Sequence, residues 1–201
     1  MKSSLFLSCL AGLLSSLLAG CAGGEAGTND VAVGTILGTD AVIGRVSDGD
    51  NVTFYMCGGP TTYGTMTRWF SGPDDASGAI SLRSDGWEVV SDPGGHSGRI
   101  LPPQGPALVF EAHETRFGTP EGLYAAVDGG CRTGAVVLQP PGADAPTVQG
   151  AWCGGGDGRR FEQVIPILPG DVSTGGIAVH VDIDGIRKAL FVTPLSIAAL
   201  E

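Results

Sequence analysis

Positive charge is what this sequence has least of. Eleven Lys and Arg stand against 21 Asp and Glu, for a formal net charge of −10, and Lys188 is the one lysine after residue 2. A surface so short of cations offers phosphates little neutralisation, which excludes nucleic acid as a partner. It also excludes adsorption to anionic lipid head groups through a basic patch. A Gly-rich loop that cradles phosphate needs a lysine between a strand and a helix. The glycine strings at Gly58-Gly59, Gly94-Gly95 and Gly154-Gly155-Gly156 therefore read as turns, and nucleotide binding is not expected.

Helical periodicity is missing too. No stretch of ten or more residues after residue 30 carries an apolar stripe at 3.6 spacing, and only the closing PLSIAALE suits a helical turn. There is no CxxC pair. His96, His113 and His180 sit in three separate segments without a second His or Cys at ligand spacing, so no metal is expected. His180 falls on the polar side of its strand and should meet solvent. Asp182-Ile183-Asp184-Gly185 looks like a calcium loop but lacks its third oxygen ligand and closing Glu, and a strand precedes it. It reads as a hairpin turn. No G-x-S-x-G elbow or paired base and nucleophile occurs, so neither a catalytic residue nor a cofactor is assigned.

What is present begins with a leader. Met1-Lys2 is a short positive start, and Ser3 to Leu18 is an apolar run of 16 residues, short of the ~20 a membrane span needs. Leu18-Ala19-Gly20-Cys21 then places small residues where a signal peptidase cuts. An ordinary secretory signal and an uncleaved anchor are the other readings of this run. The tetrapeptide resembles the lipobox of bacterial lipoproteins. That resemblance implies cleavage before Cys21, a diacylglycerol thioether on its sulfur and acylation, such as palmitate, on its amine. Each buried methylene would add about 0.8 kcal/mol to the membrane attachment. Residues 1–20 are then the signal peptide, 21–30 a flexible tether of small polar residues, and 31–201 one domain. Ala22 stands where a retention signal commonly has Asp, which points to the outer membrane in a host that has one.

From Val31 onward the period is two. Fourteen candidate strands run from Val31–Leu37 to Ile186–Thr193, most of them five to seven residues long and bounded by Gly, Pro, Asp or Ser. Asp48-Gly49 and Asp184-Gly185 are hairpin signals. With 34 glycines, about one residue in six against a norm of roughly 7 percent, many tight bends are expected. The class is all-β, an antiparallel barrel of meander type, with a β-sandwich as the alternative. The segment Asn51 to Gly72 organises it, as two strands joined by a breaker-rich loop, the second strand spanning Thr65–Phe70.

Cys57, Cys131 and Cys153 allow three single pairings in an exported compartment. Folding the 133–139 and 147–153 strands about Gly142 sets Cys131 opposite Cys153. A bridge there would stabilise the fold by roughly 3 kcal/mol. A pairing of Cys57 is the competing reading; otherwise Cys57 is a buried thiol. Tyr55, Tyr63, Trp69, Trp87, Tyr124 and Trp152 are the candidates for lining a cavity mouth that takes an apolar small molecule. The plainer reading is that they fill the interior, as side chains do in small barrels.

FYMCGG, TRWFSG and EGLYAA resemble a recurring pattern in exported bacterial β-domain proteins. The resemblance implies a shared β-domain and no particular activity. The leading expectation is thus a non-enzymatic, envelope-anchored domain that binds a protein, a glycan or an apolar small molecule. The alternatives are a hydrolase of envelope or extracellular material with carboxylates at the barrel mouth, and an inhibitor of exported proteases. An inhibitor would act through the 102–106 or 140–146 loop.

Overall fold

The computed structural model of the chain describes residues 29–75, 79–128, 131–154, 160–163, 165–166 and 172–197. The signal peptide, Cys21, the tether up to residue 28 and the end of PLSIAALE lie outside the described residues.

The chain is all-β. Each half of the chain curls so that one face of its strands turns inward. The strands Val42–Ser47, Asn51–Cys57 and Cys131–Leu138, which lie where the two halves meet, are buried on both faces. The first half contributes β1 (Asp30–Ile36), β2 (Val42–Ser47), β3 (Asn51–Cys57), a single helical turn α1 (Tyr63–Met66) and β4 (Arg68–Pro73). It continues with β5 (Ile80–Ser84), β6 (Trp87–Ser91), β7 (Ser97–Leu101) and β8 (Leu108–Glu114). These eight form one antiparallel sheet in the order β4-β3-β2-β1-β8-β7-β6-β5. Two four-strand meanders are thus joined where the first strand pairs the last, with Gly34 opposite Ala112. The sheet coils until its edges meet, Leu82 of β5 packing over Gly72 of β4, so the barrel is almost closed. Ile43, Phe54, Met56, Phe70, Val89 and Phe110 fill its interior.

The second half repeats the scheme. β9 (Gly122–Asp128), β10 (Cys131–Leu138), β11 (Thr147–Gly154) and β12 (Arg160–Gln163) form a meander. β13 (Ile165–Pro166) and β14 (Val172–Ser173) both pair with β15 (Gly176–Ile183), which pairs with β16 (Ile186–Pro194). β16 closes onto β9, Thr193 facing Ala125. Tyr124, Val137, Trp152, Ile177, Val179 and Val192 form the interior of this curled sheet.

A third apolar cluster joins the two sheets. Val33, Val42, Tyr55 and Cys57, on the outer face of the first sheet, pack against Leu123, Val136, Ala151 and Leu195 of the second. The Tyr55 and Trp69 rings lie 4.3 Å apart, and Trp69 Nε1 donates to Arg132 O across the interface. Gly134 makes room for them, since a Cβ there would lie 2.6 Å from Tyr55 Cζ and 2.7 Å from the Trp69 ring.

Three expectations are corrected. Thr65 and Met66 are helical, and β4 starts at Arg68. Thr62 O accepts both the Thr65 and Met66 amides, while Asp40, from the turn before β2, holds Thr61 and Thr62 in place. The expected strand over 161–167 is split, since the chain changes partner from β11 to β15. His180 is buried rather than solvated. Its ladder partners Ile165 and Ala189 flank it on both sides, so neighbouring strands shield it.

Candidate functional site

A cleft lies where the outer face of β8 meets the loop after β10. Phe110 and Ala112 point toward the barrel interior, so alternation turns Glu111 and His113 outward. Arg116 follows in the β8–β9 loop. Across the gap stand Leu138, Gln139, Pro140 and Pro141, and the enclosed volume is about 510 Å³. That is within the roughly 300–1,000 Å³ of small-molecule sites.

Glu121 supports this cleft from beneath. It immediately precedes β9, and its carboxylate is fully buried. Oε1 accepts the Gln139 amide at 3.0 Å and lies 3.1 Å from His113 Nε2. Oε2 has no hydrogen bond among the described residues, with Arg116 Nε 3.9 Å away. A buried carboxylate needs such partners, since an uncompensated charge in the interior is costly. In the tautomer that carries its proton on Nε2, His113 donates to Glu121 Oε1, and Nδ1 is the ring's remaining acceptor. The half-exposed imidazole is therefore oriented by an acid.

No hydroxyl or thiol is hydrogen-bonded to His113 among the described residues, so the pair lacks a nucleophile. Cys57 is no substitute. Burial pushes its thiol up to about 11, against weaker opposing hydrogen bonds from Tyr55 and Thr67, so it stays protonated. The arrangement can offer hydrogen bonds of both senses and one positive charge, against a wall of Leu and Pro.

None of the six aromatics singled out in the sequence borders this cleft. Tyr55 is buried between the sheets and Tyr124 in the second sheet, its hydroxyl donating to Pro120 O at 2.8 Å. Trp152 is buried in the same core, with the Lys188 ammonium 5.3 Å from its ring centroid. Trp69 is half-buried against Tyr55. Trp87 is half-buried beneath the Arg68 guanidinium, 4.3 Å away. Tyr63 is half-buried at the start of α1. Cys131 and Cys153 are paired at disulfide distance with Cα atoms 5.5 Å apart, and Cys57 is free and buried. Cys21 lies outside the described residues.

Sequence reasoning passed over Glu111, Arg116, Glu121 and Gln139. The available signal was the polar alternation of Glu111 and His113 on a strand face whose neighbours are apolar. The burial of Glu121 arises only when β9 and β10 close over it.

Fold and cleft together define an all-β, two-sheet domain with an acid-supported imidazole at this cleft. No protein-family model matches the chain, and neither curated proteins nor solved structures show a significant similarity to it.

Proposed function

We propose that the protein is a non-enzymatic binding domain, tethered to the cell envelope by a lipid on Cys21. In a two-membrane host it sits on the outer membrane. Its ligand is a short glycan segment held in the cleft beside β8. The observation that carries this reading is the make-up of that cleft. Glu111 accepts, Arg116 donates, His113 Nδ1 accepts, and Leu138 with the two prolines offers an apolar surface for the C–H face of a sugar ring. Hydroxyl-rich neutral ligands match such a mixture of donors and acceptors, whereas an apolar molecule would leave the polar groups unpaired.

Binding rather than hydrolysis is supported by the absence, among the described residues, of a nucleophile on His113. The cleft also lacks the aromatic lining that sugar-cleaving carboxylates would be expected to share. The interiors of both sheets are occupied by side chains, which disfavours an apolar ligand inside a barrel.

The test is a calorimetric and NMR titration with neutral oligosaccharides released from the envelope of the host. Saturable binding is expected, with shifts centred on 111–116 and 138–141. Arg116→Ala should remove a charged hydrogen bond of about 1.5–3 kcal/mol, weakening binding on the order of tenfold or more. No binding, or binding indifferent to both Arg116→Ala and His113→Ala, would overturn the reading.

A further inference from the structure

We infer that the mouth of the first barrel, where the chain enters β1, is a site for one divalent transition cation held by Asp30, His96 and Glu114. Strand register brings these three together. Ala32 of β1 faces Glu114 of β8, and Asp30 lies two residues back on the same inward-facing side. His96 precedes β7 and is tied to β8 through its carbonyl, which accepts the Ala112 amide at 2.7 Å. One ligand atom from each of Asp30, His96 and Glu114 lies within 4.8 Å of the other two.

The imidazole is the second observation. His96 Nε2 is shut off from solvent and has no hydrogen-bond partner among the described residues. Glu114 Oε1 stands 3.8 Å from it, too far for a hydrogen bond. Two metal–ligand bonds of about 2.0–2.2 Å span such a gap. A buried nitrogen facing a carboxylate across that distance is satisfied by a cation between them.

The surroundings favour it. Arg45 is 4% exposed and reaches Asp30 at 2.5 Å and Asp74 at 3.1 Å. Arg45 thus serves two carboxylates, Asp30 and Asp74, while Glu114 brings a third beside Asp30, and a divalent ion offsets the surplus. Arg45 also fixes the Asp30 carboxylate, the supporting contact expected behind a metal ligand. Gly95 has φ +70°, and a Cβ on it would run into the Arg45 guanidinium. The glycine therefore lets the loop carrying His96 lie directly over Arg45. One imidazole and two carboxylates suit Zn²⁺, with an open position for water. The site is invisible to ligand-spacing rules because its members come from the start of β1, the loop before β7 and the end of β8. A cation here would clamp the first residue of β1 to strands that arrive much later in the chain.

The experiment uses the full chain, stripped of metal with chelator and titrated calorimetrically with Zn²⁺. One ion per chain is expected. His96→Ala and Glu114→Gln, both at solvent-accessible side chains, should each weaken binding on the order of tenfold or more while unfolding of the metal-free protein is unchanged. Co²⁺ in place of Zn²⁺ should give visible ligand-field bands that vanish in His96→Ala. His113→Ala should leave both readouts intact, which separates this site from the cleft. No stoichiometric binding, or binding that survives both His96→Ala and Glu114→Gln, overturns the assignment. So does binding that is lost in His113→Ala.

Discussion

Asp40 illustrates how much one side chain can organise. It sits in the turn before β2, and its carboxylate accepts from the Thr61 amide at 2.9 Å, from Thr61 Oγ1 at 2.5 Å and from Thr62 Oγ1. The Thr61 and Thr62 hydroxyls, in that order, hold its carboxyl down at about 2. A carboxyl depressed in the folded state stabilises fully above its ordinary value near 3.8 and loses that contribution as pH falls through about 2. Asp40→Asn should therefore lower the urea midpoint at pH 7 and lose its deficit between pH 4 and 2. An unchanged deficit at pH 2 would show that the effect is steric. The sequence marked Gly58-Gly59-Pro60 as a breaker, but the partner that shapes the loop lies some twenty residues upstream, beyond any local pattern. His113 shows the same limit. Its outward direction was legible from alternation with Phe110, whereas the acid beneath it depends on how β9 and β10 close.

At the scale of elements, the hairpin of β10 and β11 is the clearest case of a pattern that reads directly. β10 itself is buried on both faces, but the two strands are bounded by turn residues and the loop between them is rich in Pro and Gly, so their pairing was legible. Its register differs by one residue from a symmetric fold about Gly142, since Gly134 faces Ala151 and Leu138 faces Thr147. That ladder ends before the cysteines, which nevertheless meet at its base. Non-reducing peptide mapping should find the Cys131 and Cys153 peptides linked and the Cys57 peptide free. Reduction should cost roughly 3 kcal/mol of unfolding free energy in the chain-entropy account. A linked Cys57 peptide would refute the pairing. Asp184-Gly185 was equally legible, both residues having positive φ as a tight hairpin turn requires. The helical turn α1 was not, because four residues carry no periodicity to detect.

For the whole molecule, composition and period two gave the all-β class and a single antiparallel barrel of meander type. They did not reveal that the chain divides into two coiled sheets, because strand order across a closure is a long-range property with no local signature. Attachment belongs to this scale as well. Cys21→Ser is expected to release the protein from the membrane fraction or leave its precursor unprocessed. Unchanged fractionation and mass would refute lipidation.

The pairing of first strand with last in each half has a consequence for the order of assembly. Every ladder of the first sheet is contained within residues 30–114. A chain delivered from its N-terminus can therefore complete that sheet while the rest is still emerging. β9 must wait for Thr193 and Pro194 before its own open side is covered. Until then the outer face around Val33, Val42 and Tyr55 is a finished template without its counterpart. The earlier half is thus the surface on which the later half condenses, and the vulnerable interval for mispairing falls on β9 through β12.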